Sequence, residues 1–231
     1  MKFLVTLTVA AVAAASPINV NQPATVPDEN EAYRQLHQRN IGVVAKEFTT
    51  EGCKPYMFFF SRGSTEIGNL GTEVGPQLSD GLKAYLGKDN VATEGIDYAA
   101  LLSTNFLPGG ADPIGIKVMR DMVNTAATDC PDSTILLGGY SQGAAMVHRT
   151  VEALPPTVQS RIAGAVTFGD TQNTQDNGQV PGLSPAKTKV ICNPGDLVCV
   201  GILTITPAHL AYTLRADEGV QFLVNRAMAP N

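Results

Sequence analysis

A serine in a turn bracketed by glycines is the residue of this sequence best suited to covalent chemistry. Ser141 lies in the stretch GYSQG at 139–143. The apolar run TILLGGY ends at the residue before this serine, and the helix-forming residues AAMV follow Gly143. A strand, a tight turn and a helix in this order form a nucleophile elbow, in which the glycines prevent a collision across the turn. The N-terminus of the following helix also favours an anion near the serine. The sequence therefore predicts a serine nucleophile at position 141.

A serine hydroxyl is a weak nucleophile and needs a base. Elbow enzymes carry their partners later in the chain, in the order serine, acid, histidine. His209 is the only histidine well past Ser141, and we predict that it is the base. His148 lies about two helical turns after the serine and points along the helix, whereas His37 precedes every other candidate. Both are interpreted as ordinary structural or surface histidines.

Two carboxylates compete to orient the histidine. Asp170 follows the apolar run AGAVTF at 163–168, and Asp196 lies in CNPGDLVC at 192–199, after a further apolar run. Asp196 lies between two cysteines, Cys192 and Cys199, which could close its loop with a disulfide. A carboxylate on such a short closed loop, at the carboxyl end of a strand, is well placed to fix an imidazole. Asp196 is therefore favoured, and Asp170 stays open as the alternative.

A tetrahedral intermediate also needs donors to its oxyanion. The backbone N–H of Gln142, directly after the nucleophile, supplies one donor in an elbow. The second is expected from a loop after an early strand. Ser64 in RGSTE at 62–66 follows the apolar run YMFFF at 56–60 and fits that place.

Elements that alternate along the chain position these residues. Apolar runs predict strands at 56–60, 134–140, 163–168 and 189–192, and helical patterns lie at 73–86, 113–128, 142–153 and 217–228. This alternation favours an α/β fold in which a parallel sheet carries helices on both faces. One domain over residues 31–231 is predicted.

The N-terminal residues are typical of an exported protein. MKFLVTLTVAAVAAA combines one lysine, an apolar run and small residues, which predicts a signal peptide over 1–16 and a secreted protein. The apolar run is too short to span a bilayer, so no stable membrane insertion is expected. Residues 17–30 are rich in proline, asparagine and small polar types, and are interpreted as a flexible segment or propeptide.

The four cysteines allow three pairings, and they are expected to pair outside the cell. The short separation of Cys192 and Cys199 favours one loop, which leaves Cys53 with Cys130. A zinc site is the alternative, but the sequence has no CxxC pair and its histidines are scattered. We predict neither a metal nor another cofactor. The net charge of −5, without a basic stripe, argues against nucleic acid as a partner.

Four motifs in order resemble the fungal cutinases over nearly all of residues 50–230. They are RGSTE with GNLG (62–66 and 68–71), GGYSQGAA (138–145), CNPGDLVC (192–199) and HLAY (209–212). The resemblance implies an α/β-hydrolase with a central five-stranded parallel sheet and no large lid. It implies the triad Ser141, Asp196 and His209, an oxyanion hole from Ser64 and Gln142, and the disulfides Cys53–Cys130 and Cys192–Cys199.

The same resemblance implies a monomeric esterase that acts on cutin, the plant polyester of hydroxy fatty acids, or a lipid-like ester. Aliphatic chains would bind between two apolar loops, with substrate-binding residues Leu102, Asn105, Phe106, Tyr140, Leu203 and Ile205. One departure is Ile67, where the family more often has a small polar residue. Acetylxylan esterase or a general short-chain carboxylesterase is the alternative of the same fold. A non-catalytic surface-active protein is a further alternative.

Overall fold

A single parallel sheet forms the centre of the protein in a computed structural model that describes residues 42–229. Its five strands lie in the order β2-β1-β3-β4-β5, and every neighbouring pair is parallel. The strands are β1 Tyr56–Ser61, β2 Val91–Gly95, β3 Thr134–Tyr140, β4 Ile162–Phe168 and β5 Thr188–Ile191. This confirms the predicted α/β-hydrolase fold class.

Helices cover both faces of the sheet. They are α1 Glu47–Glu51, α2 Gly75–Leu86, α3 Pro113–Asp129, α4 Gln142–Glu152, α5 Pro156–Gln159 and α6 Ala216–Met228. Short 3-10 turns lie at Lys88–Asn90, Leu102–Phe106, Pro185–Lys187, Val198–Val200 and Tyr212–Arg215. Residues of α2 and α6 pack in one core cluster, and residues of α3 and α4 pack in the other.

Alternate side chains of the interior strand β1 divide between the two cores. Phe58 and Phe60 of β1 pack with α2 and α6, whereas Met57 and Phe59 pack with α3 and α4. All four are fully buried, because a central parallel strand is covered on both faces. This explains why β1 is a continuous apolar run rather than an alternating one.

Among the five strands, β2 is the one that the apolar runs of the sequence did not predict; the short helices α1 and α5 were not predicted either. It contains Thr93 and Glu94, which interrupt any apolar run, yet all five of its residues are buried. Glu94 accepts hydrogen bonds from the backbone N–H (3.0 Å) and the hydroxyl (2.7 Å) of Thr49, and Thr93 pairs with Ser79 at 2.8 Å. Polar partners from α1 and α2 therefore satisfy the polar side chains of this edge strand.

The two disulfides join Cys53 to Cys130 and Cys192 to Cys199, the pairing that the cysteine spacing favoured. The predicted signal peptide at 1–16 and the segment at 17–30 lie outside the described residues. Within 42–229, no helix combines the length and the apolar character needed to cross a membrane.

Candidate active site

Ser141 lies in the turn between β3 and α4, with a backbone φ of +54° that is unusual for a residue other than glycine. A side chain at Gly139 would come within 2.3 Å of the Gly143 carbonyl oxygen, and one at Gly143 within 1.9 Å of the Ser61 carbonyl oxygen. Both positions therefore require glycine. The Ser141 N–H donates to the carbonyl of Phe168 at 2.9 Å, which ties the turn to β4.

A chain of hydrogen bonds runs from this serine through a histidine to a carboxylate. His209 Nε2 lies 3.0 Å from Ser141 Oγ, and His209 Nδ1 lies 2.9 Å from Asp196 Oδ2. All three side chains are buried. A base in contact with the hydroxyl and with an orienting carboxylate is the arrangement that activates a serine.

The candidate acid Asp196 is held by its own loop. Its Oδ1 accepts a hydrogen bond from the N–H of Val198 at 3.0 Å, and the Cys192–Cys199 disulfide closes the loop around it. The alternative acid, Asp170, does not contact His209. Its carboxylate instead contacts His148 Nε2 at 2.9 Å.

His148 and Asp170 form a separate buried pair behind the site. His148 Nδ1 lies 2.7 Å from Asp176 Oδ2, and Arg149 also contacts that carboxylate. Burial alone would lower the pKa of His148, but the hydrogen bonds and charges of Asp170 and Asp176 outweigh it and raise that pKa. Burial acts to raise the pKa of Asp170, but His148, together with hydrogen bonds from Thr167 and the Gln172 N–H, outweighs burial and lowers that pKa. Among the described residues, neither His148 nor Asp170 forms a hydrogen bond with Ser141 or His209.

Ser64 faces the elbow from the loop after β1. Its hydroxyl oxygen accepts hydrogen bonds from Asn105 Nδ2 at 2.9 Å and from Gln142 Nε2 at 3.0 Å. The same nitrogens donate to the carbonyls of Leu102 and Leu101, which fixes which end of each amide faces Ser64. With two donors on its oxygen, the Ser64 hydroxyl is left to donate its own proton elsewhere.

The loop that carries Ser64 is fastened at its two ends. Glu66 Oε2 accepts from the N–H of Gly63 at 2.6 Å, and Glu66 Oε1 accepts from the N–H of Thr72 at 2.7 Å. Arg62 Nε donates to the Glu66 carbonyl at 2.7 Å. Gln142 is the first residue of α4, so its N–H has no partner within the helix. The Gln142 side chain also donates to the Ser64 hydroxyl. Ser64 and Gln142, the two predicted oxyanion residues, therefore lie side by side.

A cavity of about 260 Å³ opens beside Ser141 and His209. Its lining includes all six predicted substrate-binding residues, namely Leu102, Asn105, Phe106, Tyr140, Leu203 and Ile205. Phe106 is 75% exposed, and Leu102, Leu203 and Ile205 are also exposed. A cavity with a buried polar centre and an exposed apolar rim suits an ester with an aliphatic chain.

Several residues that contribute to this cavity were not predicted from the sequence. Thr65, Val198 and Leu210 also line it. Thr65 and Leu210 directly follow Ser64 and His209, and Val198 lies two residues after Asp196. This proximity to predicted site residues is the sequence feature that could have identified them. Ile67, the departure from the family pattern, is exposed and is not among the lining residues of the cavity.

Tyr140 supports the histidine from below the elbow. Its hydroxyl donates to the His209 carbonyl at 2.7 Å, and its ring stacks on the imidazole with centroids 5.2 Å apart. Burial, and then the charges of Glu73 and Glu66, raise its pKa well above the usual range, so the hydroxyl stays protonated as a donor. Tyr140 therefore both lines the cavity and packs against His209.

The parallel sheet, the elbow and the serine–histidine–carboxylate chain define an α/β-hydrolase. Residues 52–227 match the sequence profile of the Cutinase family. The chain belongs to the cutinase family and is a carboxylic ester hydrolase.

Relatives and solved structures agree with this membership. The chain is 48% identical to the cutinase CUT2 of Pyricularia oryzae over 189 residues, which cover 82% of this chain and 88% of that one. The structure of Trichoderma reesei cutinase with a phosphonate inhibitor is 29% identical, with a TM-score of 0.75 and 85% of each chain covered. The catalytic core of acetyl xylan esterase from Trichoderma reesei is 19% identical, with a TM-score of 0.59, covering 76% of this chain and 100% of that one. At that identity the likeness concerns the fold alone.

Proposed function

We propose that this chain is a secreted serine esterase that hydrolyses the ester bonds of cutin through an acyl-enzyme on Ser141. The observation that carries the proposal is the 3.0 Å contact between Ser141 Oγ and His209 Nε2 beside a cavity with an apolar rim. The names of the curated relatives support cutin as the polymer.

In the acylation step, His209 removes the Ser141 proton as the hydroxyl oxygen attacks the ester carbonyl. The Asp196 carboxylate holds the imidazole through Nδ1 and stabilises its protonated form. The carbonyl C–O π bond breaks, and the negative charge moves to the carbonyl oxygen. Collapse of this intermediate expels the alcohol, which takes the proton from His209.

The N–H of Gln142 and the hydroxyl of Ser64 donate to the developing oxyanion. Because the amides of Asn105 and Gln142 already occupy the Ser64 oxygen, its proton is directed before substrate arrives. A donor that needs no rearrangement during the reaction stabilises the transition state more than the bound substrate. Water then repeats the sequence on the acyl-enzyme and releases the acid.

The exposed apolar rim supports an aliphatic rather than a sugar substrate. The cavity wall offers exposed carbon surface from Leu102, Phe106, Leu203 and Ile205. Burial of such surface contributes about 25 cal/mol per Å². An acetyl group on xylan would leave most of this surface uncovered. We propose that the chain acts as a monomer, with residues 31–231 as its catalytic domain.

Secretion rests on the N-terminal signal pattern at 1–16 and on the two disulfides, which persist in oxidising compartments. Residues 17–30 would then begin the exported chain as a flexible segment or propeptide. Mass spectrometry of the protein recovered from the medium tests both boundaries. A mature chain that begins at Met1 would contradict them.

Labelling with an alkyl phosphonate ester tests the nucleophile. The wild-type protein should bind one phosphonate per chain, and Ser141→Ala should bind none. Equal labelling of Ser141→Ala would overturn the mechanism. The acid is tested by a matched pair of variants: Asp196→Asn should lower kcat about 10⁴-fold, whereas Asp170→Asn should act mainly on stability.

The substrate is tested by analysis of products from purified cutin, with Ser141→Ala as the control protein. Hydroxy fatty acids should appear with the wild-type protein only. Initial rates on acetylated xylan and on a soluble aliphatic ester, measured in parallel, separate the acetylxylan alternative. A clear preference for acetylated xylan would refute cutin as the substrate.

A further inference from the structure

A buried tyrosine contacts the carboxylate of the proposed triad. Tyr212 is fully buried, and its hydroxyl donates to Asp196 Oδ2 at 2.6 Å. The N–H of Asn193 donates to the same tyrosine oxygen at 2.9 Å. Donation into the phenol oxygen polarises the O–H bond and strengthens its hydrogen bond to the carboxylate.

The tyrosine shares one carboxylate oxygen with the histidine. Among the described residues, Asp196 Oδ1 accepts from the N–H of Val198, while Oδ2 accepts from His209 Nδ1 and from Tyr212. The contact to the phenol is the shortest of the three and lies in the range of charge-assisted O–H···O⁻ bonds. Cys199 Sγ, at 3.7 Å, belongs to a disulfide and has no proton to donate.

The phenol also lies close to the imidazole. The rings of Tyr212 and His209 meet edge to face with centroids 6.1 Å apart, and Phe168 covers the tyrosine from another side at 6.0 Å. Burial, and then the hydrogen bond to Asp196, raise the pKa of Tyr212 well above its usual range. The hydroxyl therefore remains a donor across the range in which an esterase is assayed.

We infer that Tyr212 is a positioning residue for catalysis, which aims the Asp196 carboxylate and limits how strongly that carboxylate stabilises the His209 imidazolium. This inference rests on the proposed triad. A carboxylate whose negative charge is partly neutralised by the hydrogen bond from a phenol stabilises the positive charge of the imidazolium less. The imidazolium therefore loses its Nε2 proton more readily, and the neutral imidazole is the form that accepts the Ser141 proton.

Removal of the hydroxyl in Tyr212→Phe should have two effects on hydrolysis of a soluble ester. The carboxylate loses one of its donors and its fixed orientation, so kcat should fall about tenfold. The imidazolium is held more tightly, so the acid-side midpoint of the profile of kcat/KM against pH should rise by about 0.5 pH unit. An unmoved midpoint would overturn the inference, because a merely structural tyrosine would not shift it.

Tyr98→Phe is the matched control. The Tyr98 hydroxyl donates to the Arg62 carbonyl at 2.6 Å, so this variant also removes a phenol hydroxyl from a short hydrogen bond to the protein. It has no contact with Asp196 and should leave the acid-side midpoint unchanged. An equal shift in both variants would refute a specific role for Tyr212.

A double-mutant cycle with Asp196→Asn separates this inference from the proposed mechanism. If Tyr212 acts through the carboxylate, Tyr212→Phe should cost less than about twofold in kcat once Asp196 is replaced. Full additivity of the two losses would overturn the inference while the triad stands. Wild-type activity in Asp196→Asn would instead overturn the triad.

A perturbation of opposite sign tests the same bond without removing it. Growth on 3-fluorotyrosine replaces the tyrosines with a more acidic phenol, which donates a stronger hydrogen bond. The acid-side midpoint should then move to lower pH, and this shift should vanish in Tyr212→Phe. A midpoint that does not move would contradict the inference even where Tyr212→Phe folds poorly.

Discussion

The buried His148 pair gives a prediction about stability against pH. His148 and Asp170 are both fully buried. The His148 ring contacts Asp170 Oδ2 through Nε2 at 2.9 Å and Asp176 Oδ2 through Nδ1 at 2.7 Å. Removing one partner of a buried ion pair leaves an uncompensated charge and costs about 3–5 kcal/mol. In a domain of this size each kcal/mol lowers the melting temperature by about 2–4 °C, so His148→Asn should lose about 6–20 °C.

The sign of the pH dependence follows from the raised pKa of His148. A group whose pKa is higher in the folded state contributes its full stabilisation below its unfolded pKa, about 6.5 for histidine. That stabilisation is lost as the pH rises through the folded pKa, at up to about 1.4 kcal/mol per pH unit. The lowered pKa of Asp170 adds stabilisation that is present above the unfolded pKa of aspartate and is lost in acid.

Thermal unfolding followed by circular dichroism, between pH 5.5 and 9.5, measures this effect. The gap between wild type and His148→Asn should be widest near pH 5.5 and should narrow above pH 6.5. Asp121→Asn, which removes an exposed ion pair with Lys117, is the control and should stay close to wild type. A gap of the same size at both ends of the range would refute a charged His148.

Three further predictions concern the site and its frame. Ser64→Ala should lower kcat by about 10- to 100-fold with little change in KM, because the hydroxyl is needed mainly in the transition state; an unchanged kcat in steady-state assays would exclude it from the oxyanion hole. Phe106→Ser should raise KM for long-chain esters more than for acetate esters, since the ring is an exposed part of the cavity wall; equal changes would argue against acyl binding there. Replacing Cys53 and Cys130 together by serine should cost about 4 kcal/mol, because the bridge closes a loop with a sequence separation of 77 and loop-closure entropy grows with length; denaturant unfolding at neutral pH would show it.

Patterns within short stretches of sequence predicted most of the strands and the turn that carries Ser141. Strands β1, β3 and β4 are continuous apolar runs because helices bury both of their faces. The turn at Ser141 was predictable because its two glycines are required by backbone approaches within the turn and to Ser61. The order of residues along the chain then left His209 as the one candidate base, and Asp170 and Asp196 as the two candidate acids.

Features that depend on distant partners were not predictable from patterns. Strand β2 was missed because Glu94 is a residue type that is usually exposed. Its burial depends on hydrogen bonds from residues of α1, Thr49 among them, which are distant in sequence. Likewise nothing in the local sequence joins His148 to Asp170. The choice between Asp170 and Asp196 therefore required either the resemblance or the fold, since both follow apolar strands.

Asp170, the alternative acid, still bears on the candidate site, because its segment is where the elbow and His209 meet. The carbonyl of Phe168 accepts the Ser141 N–H at 2.9 Å, and a side chain on Gly169 would come within 2.8 Å of His209 Cε1. Asp170 anchors the end of this segment through Thr167 at 2.7 Å and through His148. The segment that contacts both Ser141 and His209 is thus anchored at its end by a buried ion pair.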